Sequence, residues 1–157
     1  MFQLMLVQAL AAAVIATPPV TPFIVQPYLQ LGDAPAGGES VTMALLWHSD
    51  TTSAEWEVDL KPAGATTWKP QRTFYPSHIQ VPGLDPYDVY HGTLGDLAPG
   101  STFQYRVKRN GTVVFTSSGL ARKGPNEPYR VVVFGDAGQN TPGQRAVAYR
   151  AALERPD

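Results

Sequence analysis

The sequence predicts a mainly β protein, in which an antiparallel β-sandwich over residues 22–121 is followed by one β-α unit. Short runs of alternating apolar and polar residues fill this region, and turn residues separate the runs. Fourteen glycines and fifteen prolines in 157 residues also favour turns over long helices. After residue 128 the alternation stops, and a continuous apolar run is followed by a helical pattern.

Three of the predicted strands show the alternation most clearly, in the runs SVTMALLWHS, SAEWEVDL and STFQYRVKR. We expect their core-facing residues to be Val41, Met43, Leu45, Trp47, Trp56, Val58, Phe103, Tyr105 and Val107. We expect their solvent-facing residues to be Thr42, Ala44, His48, Glu55, Glu57, Asp59, Gln104, Arg106 and Lys108. Asn110-Gly111 then predicts a type I′ hairpin turn, because both turn positions need a positive φ.

Composition excludes several partners and kinds of site. The formal net charge is −1, so the chain has no basic excess that would attract nucleic acid. It contains no cysteine, which excludes disulfides and thiolate metal sites and leaves oxygen and nitrogen ligands. The histidines His48, His78 and His91 lack metal-site spacing, and we expect none of them to be a ligand. The pattern places His48 on the solvent face of a strand and His78 in a loop.

Residues 1–16 are predicted to be a signal peptide. An apolar run covers about residues 4–15, ends in small residues at Ala16 and precedes two prolines. It is shorter than the ~20 residues that span a bilayer. No Lys or Arg precedes it, which departs from the usual signal pattern. We therefore expect an exported protein, secreted or periplasmic, without a stable membrane anchor.

A change of pattern marks a boundary after the sandwich. Residues 122–128, RKGPNEP, are polar with two prolines and predict a linker. Residues 129–134 are nearly all apolar, which is typical of a strand covered on both faces in a parallel sheet. A helix should follow, with Thr141 as N-cap, Pro142 at its first position and Gln144 completing a capping box.

Asp136 is the candidate functional residue of this β-α unit. It follows the predicted strand, at the edge where open α/β sheets bind ligands. Gly138 excludes an Asp-x-Asp nucleophile of the haloacid dehalogenase kind, and Ala137 excludes the serine of a GDSL-type esterase. The P-loop and dinucleotide-binding glycine patterns are also absent. A carboxylate without a neighbouring nucleophile is typical of a ligand for hard cations; a turn-capping loop aspartate is the alternative.

Two stretches resemble known families. The run YHGTLGDLAPGSTFQYRV resembles the E–F corner of fibronectin type III domains, although Phe103 stands where that family usually has a tyrosine. The missing hydroxyl removes one hydrogen bond, worth about 0.5–1.5 kcal/mol. A fibronectin-like sandwich, a proline-rich linker and VVVFGDAG, in that order, resemble the purple acid phosphatases and related metallophosphoesterases.

The resemblance implies a fibronectin type III-like domain at residues 22–121 and the start of a truncated metallophosphoesterase catalytic domain at residues 129–157. Asp136 would be the first ligand of a dinuclear metal centre, iron paired with iron, zinc or manganese, that acts on phosphate esters. The family's bridging aspartate and later histidines have no counterpart here. The resemblance therefore implies an N-terminal fragment of an exported acid phosphatase, itself inactive and assembling no metal centre.

A second class of function stays open, a secreted, non-catalytic, fibronectin-like binding module. Trp68, Tyr75 and Tyr87 are aromatic residues that could form its surface. Packing in the core or at a sheet edge is the more ordinary role for such residues, and we expect it here. Neither alternative predicts an oligomeric state.

Overall fold

The computed structural model describes residues 21–32, 40–71, 74–135 and 141–156. The predicted signal peptide, residues 1–16, lies outside this part of the chain. The described strands are β1 Val25–Leu31, β2 Val41–Asp50, β3 Trp56–Pro62, β4 Lys69–Pro70, β5 Tyr75–Ile79, β6 Tyr87–Leu97, β7 Thr102–Arg109 and β8 Thr112–Leu120. The described helix is α1, Pro142–Leu153.

The strands form two four-stranded sheets, which confirms the prediction of a mainly β protein. One sheet has the order β1-β2-β6-β5 and the other β4-β3-β7-β8. Every pair of neighbouring strands is antiparallel. Each sheet therefore joins strands distant in sequence, since β2 pairs with β6 and β3 with β7.

The core lies between the sheets and is rich in aromatic rings. Trp47 is fully buried and stacks on Tyr90 with ring centroids 5.0 Å apart and planes only 2° from parallel. The ring of Trp56 lies 5.5 Å from Trp47 and that of Phe74 lies 5.3 Å from it. Such pairs each contribute about 0.5–1.5 kcal/mol beyond the area they bury. The nine residues predicted to face the core are all buried.

Two residues predicted to face solvent are buried instead, which corrects that part of the prediction. Ala44 is 8% exposed because it is small and lies between Gln30 of β1 and Thr93 of β6. Asp59 is 4% exposed because Arg106, directly opposite on β7, covers it.

The predicted hairpin turn is confirmed. Asn110 and Gly111 have φ angles of 50° and 76° between β7 and β8. Asn110 also ties the turn to the residue before β3, because its side-chain oxygen accepts a 2.8 Å hydrogen bond from the Glu55 amide. Phe103, at the proposed fibronectin-like corner, is 2% exposed and packs in the core.

The predicted strand at residues 129–134 is not formed, whereas the helix after it is. No strand is assigned between residues 121 and 135. A strand needs backbone partners, and none of the described strands pairs with this segment. Helix α1 begins at Pro142 as expected, with Thr141 as its N-cap. It ends at Leu153, and Arg155 after it adopts a φ of 49°.

Candidate functional site

Asp136 lies outside the described residues, together with positions 137–140. Its described neighbours are Gly135, at the end of the apolar segment, and Thr141, at the start of α1. The described geometry nearest to the candidate site is therefore that of the elements on either side of residues 136–140.

The apolar segment, residues 129–134, lies alongside α1 and runs antiparallel to it. Near its start, Arg130 Nη1 donates a 2.9 Å hydrogen bond to the Glu154 carbonyl at the carboxyl end of the helix. Further along, Val132 and Phe134 line a small cavity together with Val147 and Ala151 of α1. The segment and the helix thus have the relative direction of a strand and the helix that follows it, although none of the described strands pairs with the segment.

The amino end of α1 is well capped. Thr141 Oγ1 accepts a 3.2 Å hydrogen bond from the Gln144 amide, which is the first half of the predicted capping box. The Thr141 carbonyl accepts from the Arg145 amide at 3.1 Å, and Pro142 occupies the first turn. The helix start is therefore specified by local sequence, independently of any tertiary packing.

The predicted linker is a hydrogen-bonded turn. Lys123 Nζ donates to the Pro128 carbonyl at 3.0 Å, and the Tyr129 hydroxyl donates to the Lys123 carbonyl at 2.7 Å. Between them, the Gly124 amide donates to Glu127 Oε1 at 3.3 Å. The Gly100 amide donates to the Arg122 carbonyl at the start of this turn, so the turn is also attached to the sandwich.

A cavity of about 300 Å³ lies where the sandwich meets the following segment. Leu31 of β1 and Leu120 of β8 line it from the sandwich, and Tyr129, Val131 and Pro156 line it from the other side. These five side chains are apolar or largely so, whereas Arg122, Lys123 and Arg130 add three cationic side chains to the lining.

The three histidines do not come together. His48 on β2 stacks on Tyr87, with ring centroids 5.4 Å apart. His78 lies in β5, not in a loop as predicted, and its Nδ1 is 3.0 Å from Asp88 Oδ1. His91 is exposed on β6. Within the described ranges, no three residues of the His, Cys, Asp and Glu types are grouped as a metal ion would require.

Two acidic and two basic side chains form three ion pairs on the outer face of the second sheet. Arg106 Nε and Lys108 Nζ both approach Asp59 Oδ2, at 2.7 and 3.1 Å, and Lys108 also reaches Glu57 Oε2 at 3.2 Å. Burial acts to raise the pKa of Asp59, but the hydrogen bonds from Arg106 and Lys108 outweigh it, and the pKa lies below its ordinary value. The hydrogen bond to Asp59, and then that to Glu57, raise the pKa of Lys108.

This charged network was not predicted as a unit, although the sequence held a signal for it. Glu57 faces Lys108 across the β3–β7 pair, and Asp59 faces Arg106. Two acidic residues two positions apart on one strand can form ion pairs with two basic residues two positions apart on the neighbouring strand. The sequence alone does not show which residues of β3 and β7 face each other, because about 50 residues separate the two strands.

A cleft of about 580 Å³ is lined by residues of both sheets. Glu57 and Lys108 line it from one sheet, and Tyr75 and Asp88 line it from the other. Tyr75 begins the edge strand β5, so it lies at a sheet edge as expected, but it is 77% exposed and does not pack in the core.

The other two aromatic candidates, Trp68 and Tyr87, contact neighbouring side chains. Trp68 is half-buried between Lys61 Nζ and the Arg106 guanidinium, at 5.0 and 4.5 Å from the ring centre. Tyr87 stacks on His48. Tyr75 is thus the member of the predicted set that presents its ring to solvent.

No protein-family model matches the chain, and no curated protein matches it. Within the part of the chain that the structure describes, no helix has the length and apolar character needed to cross a membrane.

Proposed function

We propose that this chain is the amino-terminal part of an exported, dinuclear-metal phosphatase that hydrolyses phosphate monoesters. Residues 22–121 form its accessory sandwich and residues 129–157 open its catalytic domain. One observation carries the proposal. The sandwich has a buried hydrophobic core, whereas the apolar segment and helix α1 that follow it contain no buried residue.

The strand order of the sandwich supports the first half of the proposal. Lettered A to G in chain order, with C′ for β4, the sheets read A-B-E-D and C′-C-F-G. Immunoglobulin-like sandwiches pair their strands in this way. The Leu-x-Pro-Gly corner between β6 and β7 adds the fibronectin-like resemblance, and Phe103 fills the core at the position of the family's tyrosine. A sandwich of this kind does not define an activity by itself.

The apolar residues after the sandwich support the second half. Val131 is 73% exposed and Val133 is 89% exposed, and the exposed large apolar residues of α1 are Val147, Tyr149 and Leu153. Covering one such side chain stabilises a fold by about 1.5–3 kcal/mol. Residues 129–134 have the composition of a central strand in a parallel sheet, which neighbouring strands and helices would cover.

The described residues do not supply the metal centre of such an enzyme, since they contain no metal-binding group. Asp136 is the one ligand that the resemblance assigns, and one carboxylate cannot hold two metal ions. We therefore derive no catalytic step from this chain and propose that the remaining ligands belong to a longer protein.

A test of the proposal starts from the coding sequence beyond residue 157. We expect Gly-Asp within about ten residues, where a returning strand would end, and Asn-His and His-x-His further on. The protein expressed from the longer frame should contain two metal ions and hydrolyse p-nitrophenyl phosphate. Asp136→Asn should remove most of both, whereas Asp85→Asn, in an exposed loop of the sandwich, should change neither. Full metal content and activity in the Asp136→Asn protein would overturn the proposal.

A non-catalytic binding module is the second candidate, and the exposed ring of Tyr75 favours it. The ring lines the 580 Å³ cleft, together with the carboxylates of Glu57 and Asp88. An exposed aromatic ring beside hydrogen-bonding groups suits a carbohydrate, which offers an apolar face and a ring of hydroxyls. Titration of the 157-residue chain with cell-wall oligosaccharides tests this candidate, and Tyr75→Ala should remove any binding.

A further inference from the structure

Three of the four sheet edges in the described sandwich carry features that prevent strand addition. Strand β1 contains Pro27 and a bulge between Val25 and Tyr28. Strand β4 has only two residues, and one of them is Pro70. Strand β5 contains Pro76 in its second position. Prolines, bulges and short length are the common means by which natural sheets block pairing with another chain.

The fourth edge, β8, lacks most of these features. Its nine residues, TVVFTSSGL, include no proline and no charged side chain. One bulge lies near its start, because Val107 pairs with Phe115 and Lys108 with Val113, which leaves Val114 as the extra residue. Residues 115–120 then pair regularly with β7. An uncharged run rich in Thr, Val and Phe has high strand propensity and is suited to accept a further strand.

The inner side of β8 is held firmly by the core. The ring of Phe115 lies 6.0 Å from the rings of Phe23 and Tyr105. Gly119 lies directly beneath Leu29 of β1 and beside Phe103, where no side chain would fit. The free edge of β8 is therefore a preorganised template, which lowers the entropy that a pairing strand must lose.

We propose that β8 is a self-association edge, at which β8 of a second copy of this chain pairs antiparallel to it. A two-fold axis perpendicular to the sheet near Ser117 would place Thr116 of one copy opposite Ser118 of the other. The two four-stranded sheets then form one continuous sheet of eight strands across the dimer.

The charges near β8 favour a second copy as the partner. Thr116 lies opposite Arg106 on β7, and Arg106 is neutralised by Asp59 within its own sheet. Lys108 is likewise paired with Glu57 and Asp59. Two identical edges therefore approach each other without like charges in contact, and the net charge of −1 per chain adds little repulsion.

The mass of the full 157-residue chain in solution tests this proposal. Sedimentation velocity over a concentration series should show the 17.0 kDa chain shifting toward twice that mass as the concentration rises. Thr116→Lys places one cation from each copy at the joint and should weaken the dimer at least about tenfold. Ser118→Lys should do the same. Ser77→Lys, on the proline-containing β5, is the matched control and should leave the dimer unchanged.

Two outcomes would overturn the proposal. One is a monomeric chain throughout the series. The other is a dimer that persists in both lysine variants of β8 but is lost with Val133→Lys, which would assign association to the apolar segment after the sandwich. Circular dichroism melting of each variant confirms that the sandwich is folded. Hydrogen exchange gives an independent measurement, because the β8 amides should become more protected as concentration rises while the β5 amides do not.

Discussion

Asp59 and Arg106 face each other across β3 and β7, and the Arg106 Nε–H donates to Asp59 Oδ2 over 2.7 Å. The side chain of Asp59 is 6% exposed and that of Arg106 is 28% exposed, so the carboxylate is far less hydrated than its partner. Lys108 approaches the same oxygen at 3.1 Å. The buried carboxylate is therefore stabilised by two cations whose own charged groups retain contact with water.

Asp59→Ala should destabilise the sandwich by about 2–3 kcal/mol, because it leaves Arg106 and Lys108 without their shared partner. The partial exposure of both cations keeps the loss below that of a fully buried pair. Glu57→Ala is the matched control, since the Glu57 side chain is 45% exposed and its ion pair among the described residues is with Lys108, and it should cost less than about 1 kcal/mol. Urea unfolding followed by tryptophan fluorescence measures both values. Equal losses in the two variants would contradict the prediction.

The same pair gives a pH dependence. The pKa of Asp59 in the folded chain lies below its ordinary value of 3.8, so the carboxylate stabilises the fold at pH values above 3.8. This contribution is lost as the pH falls through the lower, folded-state pKa. The difference in unfolding free energy between the native chain and Asp59→Asn should therefore be constant near neutral pH and shrink below pH 3.8. A difference that grows on acidification would show that the sign is wrong.

The faces of the strands were predictable from the sequence, because a period of two residues depends only on neighbours in the chain. Trp47, Val58 and Val107 are buried as their alternation predicts. The burial of Asp59 was not predictable in this way, since it depends on the register of β3 against β7. His78 was assigned to a loop because of Pro76, but an edge strand tolerates a proline that donates no hydrogen bond.

At residues 129–134 the sequence predicted a strand that the structure does not form. The segment's composition is that of a buried strand, but Val133 is 89% exposed and the segment pairs with no described strand. The composition of a segment shows that it could be buried in a sheet, but burial also requires neighbouring strands and helices that cover it. The metal-ligand prediction for Asp136 depends on the same missing partners and stays a prediction.

Limited trypsin digestion should cut α1 first. Arg145 and Arg150 lie on a helix without buried residues, whose local opening costs little free energy. Arg122 and Lys123 lie in the hydrogen-bonded turn beside the buried Ala121, so cleavage there should be slower. Mass spectrometry of a time course gives the order of cleavage. Initial cleavage at residues 122–123, ahead of α1, would show that the turn opens more readily than the helix.

Gly92→Ala should destabilise the sandwich by about 1–3 kcal/mol, because a Cβ at this position would overlap the ring of Phe74. That ring is only 4% exposed and packs 5.3 Å from Trp47, so it has little space into which to move. Gly95→Ala, three residues later in β6, is the control, since a Cβ there meets nothing within 4 Å. It should be neutral or stabilise the fold by up to about 1 kcal/mol, because alanine restricts the unfolded chain. Thermal unfolding of the two variants beside the native chain gives the comparison. A native melting temperature for Gly92→Ala would show that Phe74 packs loosely against β6.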